Sequence, residues 1–323
     1  MLLLSFTLIV AMIASLHLGL RLYSPAQVWG ALLSPDEGEV ALIVSGLRLP
    51  RTLAACGVGA ALAVCGLLMQ SILRNPLADP GLLGVNAGAS FAVVLGFGVF
   101  GVTSFGILSA LALVGAAMAT GVLYLILALA GGRMTPVTLV LAGVTLAALL
   151  SALTQVLIVT DEGTMEALLF WLAGGFADRD QQTLWYALPV ICVGLLMAAP
   201  MAQGLQALQI GDSAAQAIGV NVARLRIGAL AVATLLAAIC VTVAGPVGFV
   251  GLVAPHLARL TGVPGYGWQI SFAALIGGTL AVSADIAARL IVAPQEAPVT
   301  ALLALVGAPI LIGLVRRQGA RFA

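Results

Sequence analysis

Arginine dominates the few side chains in this sequence that could do chemistry. Of 323 residues, 13 are basic and 12 acidic; every basic residue is arginine, and lysine does not occur. A chain without lysine has no P-loop of its own, no Schiff-base lysine and no polybasic arm for nucleic acid. The only histidines are His17 and His256, too few for an expected zinc site. Cys56, Cys65, Cys192 and Cys240 lie inside apolar runs, in neither a CxxC nor a metal-ligand pattern, and read as small apolar packing residues.

Three places break a local rule. Arg48-Leu49-Pro50-Arg51 opens an apolar run, with Pro50 suited to a first helical turn and the arginines three apart on one face. Cations at a helix N-terminus oppose the macrodipole. They read either as snorkelling interface anchors or as exposed cations awaiting a partner's carboxylates. Asp285 and Arg289 are four apart, which favours an ion pair making an intramembrane carboxylate tolerable; a proton-coupling acid is the sharper alternative. His256 follows Pro255, and its default role is to satisfy backbone groups that the proline frees.

These residues are carried on elements that only a bilayer can solvate. Hydrophobic residues make up 62% of the chain and charged ones 8%, with a mean hydropathy of +1.18. A water-facing surface needs far more charge, so the expectation is a polytopic, all-α membrane protein forming one transmembrane domain over 1–323. Apolar runs of roughly 20 residues fall near 2–20, 52–73, 81–102, 105–130, 137–160, 184–202, 227–244, 246–262, 268–292 and 298–315, the eighth short and proline-broken. The first run lacks a basic n-region and reads as a retained helix.

Suppose all ten runs cross and the N-terminus is cytoplasmic. Arg74, Arg133, Arg224, Arg226, Arg259, Arg316, Arg317 and Arg321 then lie inside, with Asp79 and Asp212. Arg21, Arg48, Arg51, Arg179 and Arg289 lie outside with Asp36, Glu37, Glu39, Asp161, Glu162, Glu166, Asp178, Asp180 and Glu296. The positive-inside rule therefore places both termini in the cytoplasm.

Two connections exceed a turn. The acidic stretch 161–183 contains Phe170-Trp171-Leu172-Ala173-Gly174-Gly175, whose aromatics could anchor at the interface. The stretch 204–224 is polar and proline-free. Within it Ser213, Ala214, Ala215, Gln216 and Ala217 support a short helix, with Asp212 as N-cap and Gly219 as its stop. It is either a docking element or an ordinary loop. Arg48 to Gly84 and Arg224 to Leu260 share a pattern of arginine pair, long apolar helix and proline-interrupted segment. Asn75-Pro76 and Asp79-Pro80-Gly81 break the first copy, Gly245-Pro246 and Pro255-His256 the second. Inverted repeats with broken helices mark transporters. Gly57, Gly59, Gly66, Gly277 and Gly278 read as sites of close helix approach.

RLPR (48–51), NPLADPGLLG (75–84), FWLAGG (170–175), GDSAAQAIGVN (211–221), GPVGFVGLVAPHLAR (245–259) and ADIAAR (284–289) occur in order along nearly the whole chain. Together they resemble the FecCD-type permease subunit of ABC importers for iron–siderophore complexes, haem and vitamin B12, most closely those for ferric citrate and other ferric siderophores. The resemblance implies ten transmembrane helices in a bacterial inner membrane and a dimer of identical or related permeases. It also implies two separate ATP-binding subunits, which hold the ATP and magnesium. These dock on the loop matching Gly211, Asp212, Ser213, Ala214, Ala215, Gln216, Ala217, Ile218, Gly219, Val220 and Asn221. A periplasmic binding protein would dock outside on Arg48, Arg51 and Arg289. Asn75, Pro76, Pro246, Pro255, His256 and Asp285 would serve structure or gating, and the path would run between subunits along 137–160 and 298–315. No cofactor, resident metal, nucleic acid or covalent catalysis is expected of this chain.

Two other classes fit the composition. A proton-coupled secondary transporter would use Asp285 as its coupling acid. An intramembrane protease would need an HExxH or a second carboxylate paired with Asp285, and the sequence offers neither.

Overall fold

A computed structural model describes residues 1–34, 38–129, 136–160, 171–177, 181–263, 265–292 and 296–319. Its helices are α1 (Leu2–His17), α2 (Pro25–Leu33), α3 (Gly38–Ala41), α4 (Leu49–Leu73), α5 (Val85–Gly98), α6 (Phe105–Leu129), α7 (Pro136–Thr160), α8 (Gln181–Ala198), α9 (Ala202–Ile210), α10 (Asp212–Ala217), α11 (Val222–Ala244), α12 (Val250–Leu260), α13 (Tyr266–Ile291) and α14 (Val299–Gly319). No strand occurs among the described residues.

Among the described residues six stretches are long and apolar enough to cross a membrane: Gly38–Leu73, Phe105–Leu129, Val137–Val159, Gln181–Ile210, Val222–Ala244 and Tyr266–Ile291. Leu2–His17, Val85–Gly98, Val250–Leu260 and Val299–Ile310 are shorter apolar helices. All ten apolar runs of the sequence thus become helical. The eighth, α12, has 11 residues, about 16 Å at 1.5 Å per residue, roughly half a hydrocarbon core.

The helices divide into a central set and a peripheral set. The apolar stretch containing α4 is 78% buried and that of α11 72%, against 22% for α7. A helix apolar on every face belongs in the middle, and α4 packs along α13, α11, α12 and α8. Around it α5 packs against α6 and α7, and α1 lies along α13. With little hydrophobic drive between helices in lipid, close approach of small residues carries the association. A Cβ on Gly59 would strike the Gly277 carbonyl oxygen, and the reverse is equally true. A Cβ on Gly66 would strike the Gly251 carbonyl. Cys65 and Cys240 are buried free thiols and Cys56 is half-buried, as packing residues should be, whereas Cys192 is exposed on α8.

α4 begins earlier than the sequence indicates. Gly38–Ala41, a π-helical turn over Leu42–Arg48 and α4 form one helical stretch, Gly38–Leu73. The extra residue per turn lets the helix carry Pro50 without ending. Arg48 and Arg51 are therefore not at a free helix N-terminus.

The interruptions at 75–81 and at Gly245-Pro246 are real breaks, whereas α12 runs helical through Pro255-His256, which the sequence reading takes as a break. Arg74 ends α4 in the left-handed region at φ +48. The Asn75 side chain accepts from Leu77 N–H at 2.9 Å, and Asp79 accepts from Gly81 N–H at 2.8 Å, opening a 3₁₀ turn over Pro80–Leu83. In the second copy Gly245 (φ +70) and Phe249 (φ +69) bracket Pro246 before α12 begins. The breaks touch: a Cβ on Gly251 would sit 3.0 Å from the Pro80 ring.

Candidate functional site

α4 has 25 residues, about 37 Å at 1.5 Å per residue, so it spans the fold and brings a charged cluster to each end. At its first end stand Arg48 and Arg51; at its second, Arg74.

At the first end Asp285 is fully buried between two guanidinium groups. Arg51 Nε donates to Asp285 Oδ1 at 2.8 Å, and Arg289, one turn further along α13, pairs with Oδ2. Arg289 also donates to the Ser15 carbonyl at 3.1 Å and to Ser15 Oγ at 2.9 Å, fastening α1 to α13. Ser15 Oγ lies 2.7 Å from Thr52 Oγ1, which donates to the Arg48 carbonyl at 2.7 Å. A buried carboxylate is tolerable only when so enclosed. The ion pair read from the i,i+4 spacing is present.

Exposure of the arginines is where the sequence reading needs correction. Arg48 and Arg289 are buried, and the Arg51 side chain is 13% exposed. Arg48 donates to the carbonyls of Leu16 (2.8 Å), His17 (3.0 Å) and Arg21 (2.6 Å) and lies 4.8 Å from the centre of the Tyr23 ring. Leu16 and His17 end α1, whose last carbonyls lack helical donors and favour a cation. Arg48 therefore opposes no macrodipole of α4; it caps the C-terminus of α1. Arg51 also donates through Nη1 to Glu296 Oε1 at 2.7 Å. Glu296 is the member of this cluster that sequence reasoning did not single out. Its only signal was an acid at the same end as three arginines. Cavities of about 310 and 200 Å3 open beside this cluster, both lined by Arg51 and Glu296.

At the second end, α9, α10 and the start of α11 form the 204–224 segment. Asp212 is the first residue of α10 and makes no side-chain cap, contrary to expectation. Its carboxylate instead pairs with Arg74 and, at 3.0 Å, with Arg226 of α11. Arg74 Nε also donates to the Leu208 carbonyl at 2.9 Å. Two cations compete for the carboxylate more strongly than backbone N–H groups do, and the three residues tie α4, α9, α10 and α11 together. The predicted stop is correct: Gly219 adopts φ +84. Val220 N–H bonds the Ala215 carbonyl at 3.0 Å and Gly219 N–H that of Gln216 at 2.9 Å, a Schellman ending. Asn221 then caps α11 by accepting from Arg224 N–H at 3.0 Å. Ala215 is packed inward, whereas Ser213, Gln216, Ala217, Ile218 and Gly219 face outward and Ala214 lies between. Ile210 and Ile218, 81% and 70% exposed, leave an apolar face on this segment.

Between the ends, Pro255 removes the N–H that would bond the Gly251 carbonyl four residues earlier. That carbonyl is taken by Gln70 Nε2 at 3.1 Å, and Arg259 Nη2 donates to Gln70 Oε1 at 2.5 Å, fixing the amide's orientation. Gln70 thus satisfies the carbonyl that Pro255 frees, and His256 is half-buried at the next position of α12. Nearby, Tyr266 donates to the Leu67 carbonyl at 3.0 Å and bonds Ser71.

The segment with the aromatic motif also differs from expectation. Trp171 is 4% exposed, buried in the core instead of lying at an interface. Gly175 N–H bonds the Ala244 carbonyl at 2.8 Å, and Gly174 (φ +67) lies against the Pro246 carbonyl and Thr300. The second break, 171–177 and the start of α14 thus interlock. Pro76 sits at the opposite break, half-buried. Phe170, Arg133 and the acids at 161, 162 and 166 lie outside the described residues.

Comparison with known proteins gives a consistent result. The FecCD transport family matches residues 7–317. The permease protein FepD of the ferric enterobactin transport system of Escherichia coli is 39% identical over 311 residues, covering 96% of this chain and 93% of its own. The permease protein FecC of the Fe(3+) dicitrate transport system of the same organism is 37% identical over 322 residues, covering 96% of each chain. Among solved structures, a metal-chelate type ABC transporter in an inward-facing conformation superposes with a TM-score of 0.83 at 29% identity, covering 97% of both chains.

Proposed function

The chain belongs to the FecCD transport family, and from that membership we propose that it is the permease half of an ABC importer moving a ferric siderophore or ferric citrate inward. It is a multi-pass membrane subunit of the kind that imports siderophore, citrate, haem or vitamin B12 chelates. The narrower choice of a ferric chelate is supported by relatives named for ferric enterobactin and ferric dicitrate.

In this reading the Arg48–Arg51–Arg289 end faces the periplasm and receives a loaded binding protein, and both termini are cytoplasmic. The 204–224 segment receives an ATP-binding subunit, on which ATP and magnesium reside. A second permease, identical or related, completes the path. The observation that carries the reading is that one central helix, α4, joins the two ends: Arg51 binds the buried Asp285 at one, and Arg74 binds Asp212 of α10 at the other. ATP binding moves the α10 segment, Asp212 passes the displacement to α4 and α11, and the subunit interface opens alternately to each side. Exposed apolar faces of α7 and α14, including Leu141, Val144, Leu305 and Val306, suit contact with lipid or the second permease. A path poor in charge lets a bulky chelate pass without being held.

The test is uptake of radiolabelled iron chelates into proteoliposomes containing the permease, its ATP-binding subunits and its binding protein. ATP-dependent accumulation of a ferric chelate supports the reading. Accumulation of only haem or cobalamin would replace the substrate. Uptake without ATP-binding subunits that collapses with the proton gradient would replace the mechanism.

A further inference from the structure

The two carboxylates that hold Arg51 differ in what their loss would leave behind. Asp285 is fully buried and also serves Arg289, so its departure would strand two buried cations. Glu296 is 32% exposed, binds among the described residues only the Nη1 of Arg51, and can turn into water without stranding a second cation there. Its position is set from behind, where Ala297 N–H bonds the Ala288 carbonyl at 3.1 Å on the last turns of α13. Three cavities, of about 310, 200 and 60 Å3, share Arg51 and Glu296 in their walls, so the pair is approachable from several sides. Among the described residues of this cluster the charge is also unbalanced. Arg48, Arg51 and Arg289 face Asp285 and Glu296, and Arg48 binds neutral carbonyls.

We propose that Glu296 is an internal stand-in for a carboxylate of the docking protein, neutralising the outer edge of Arg51 in the free permease and surrendering it when an acidic side chain arrives. The inference rests on the docking reading above and adds a regulation to it. Arg51 keeps a charge-assisted partner in both states, so docking exchanges one ion pair for another. A binding protein that must leave after delivering its cargo is served by such an exchange, because Glu296 returns to Arg51 as the partner departs. The chemistry required of the partner is a surface Asp or Glu able to enter the cavity beside Arg51.

The experiment measures binding-protein affinity for the complete permease–ATPase complex in nanodiscs at fixed ionic strength. Glu296→Gln and, in parallel, Glu296→Ala remove the competing charge and should tighten binding by about tenfold. Glu39→Gln is the control. Glu39 pairs with exposed Arg21 at the same end, so its loss changes net charge equally without freeing Arg51. It should change affinity less than about twofold, as exposed pairs do. Arg51→Gln should abolish binding. Loss of binding in Arg51→Gln with no tightening in either Glu296 variant overturns the exchange and leaves docking intact. Equal tightening by Glu39→Gln reduces the effect to net charge and overturns it too. Wild-type affinity in Arg51→Gln overturns the docking reading and the exchange together. Failure of both Glu296 variants to assemble makes Glu296 a structural residue and ends the proposal.

Discussion

Gln70 of α4 donates its side-chain amide to the Gly251 carbonyl of α12 at 3.1 Å, replacing the helix hydrogen bond that Pro255 cannot make. The contact joins residues 181 apart in sequence, at the point where the two broken-helix copies meet. It lets α12 stay helical through a proline while fixing α12 to the central helix.

Gln70→Leu should therefore cost roughly 1–3 kcal/mol of stability, the usual cost of a buried acceptor left unpaired. The cost should shrink in a Pro255→Ala background, where a backbone N–H again reaches Gly251. Thermal unfolding of the four purified complexes forms the double-mutant cycle, and additive effects would show that Gln70 does not serve that carbonyl.

Asp285→Ala should destabilise the fold by about 3–5 kcal/mol, because it leaves Arg51 and Arg289 buried without their shared anion. The expected readout is a sharp fall in yield and melting temperature of the complex, with uptake lost in proportion. A stable Asp285→Asn complex that hydrolyses ATP normally but no longer transports would instead give Asp285 a role in coupling.

Gly219→Val should weaken association with the ATP-binding subunits while leaving membrane insertion unchanged. A β-branched residue at φ +84 costs about 1–2 kcal/mol and breaks the Schellman ending that presents Ile218. Co-purification of the ATP-binding subunits measures this, and retained association would place their docking elsewhere.

Asp212→Asn should leave ATP hydrolysis measurable but lower transport per ATP. Its pairs with Arg74 and Arg226 are partly exposed, so the stability loss should stay near about 1 kcal/mol. The ratio of chelate delivered to ATP hydrolysed is the decisive quantity.

Much of the fold was legible because hydrocarbon imposes a strict length and composition rule on each span. Asp285 and Arg289 were legible as a pair because i,i+4 spacing fixes them on one helix face, and Gly219 because only a glycine-like backbone ends α10 that way. Partners set by tertiary contact were not legible. Nothing local in the sequence says that Arg48 caps α1, that Gln70 reaches Gly251, or that Asp212 turns from capping its helix to bind Arg74 and Arg226. Trp171 misled for a related reason: an aromatic beside acids and glycines reads as interfacial until the glycines after it are seen to pack on the break at Pro246.

The most direct test of the central claim is binding-protein-stimulated ATP hydrolysis by the reconstituted complex carrying Arg51→Gln. Arg51 is chosen over Arg48 because Arg289 still holds Asp285 when glutamine replaces Arg51 and the glutamine amide can donate in its place, whereas loss of Arg48 frees the end of α1 outright. The expected result is a basal rate close to wild type with stimulation abolished. Stimulation equal to wild type, in a complex that still assembles, would contradict the assignment of this end of α4 as the docking site.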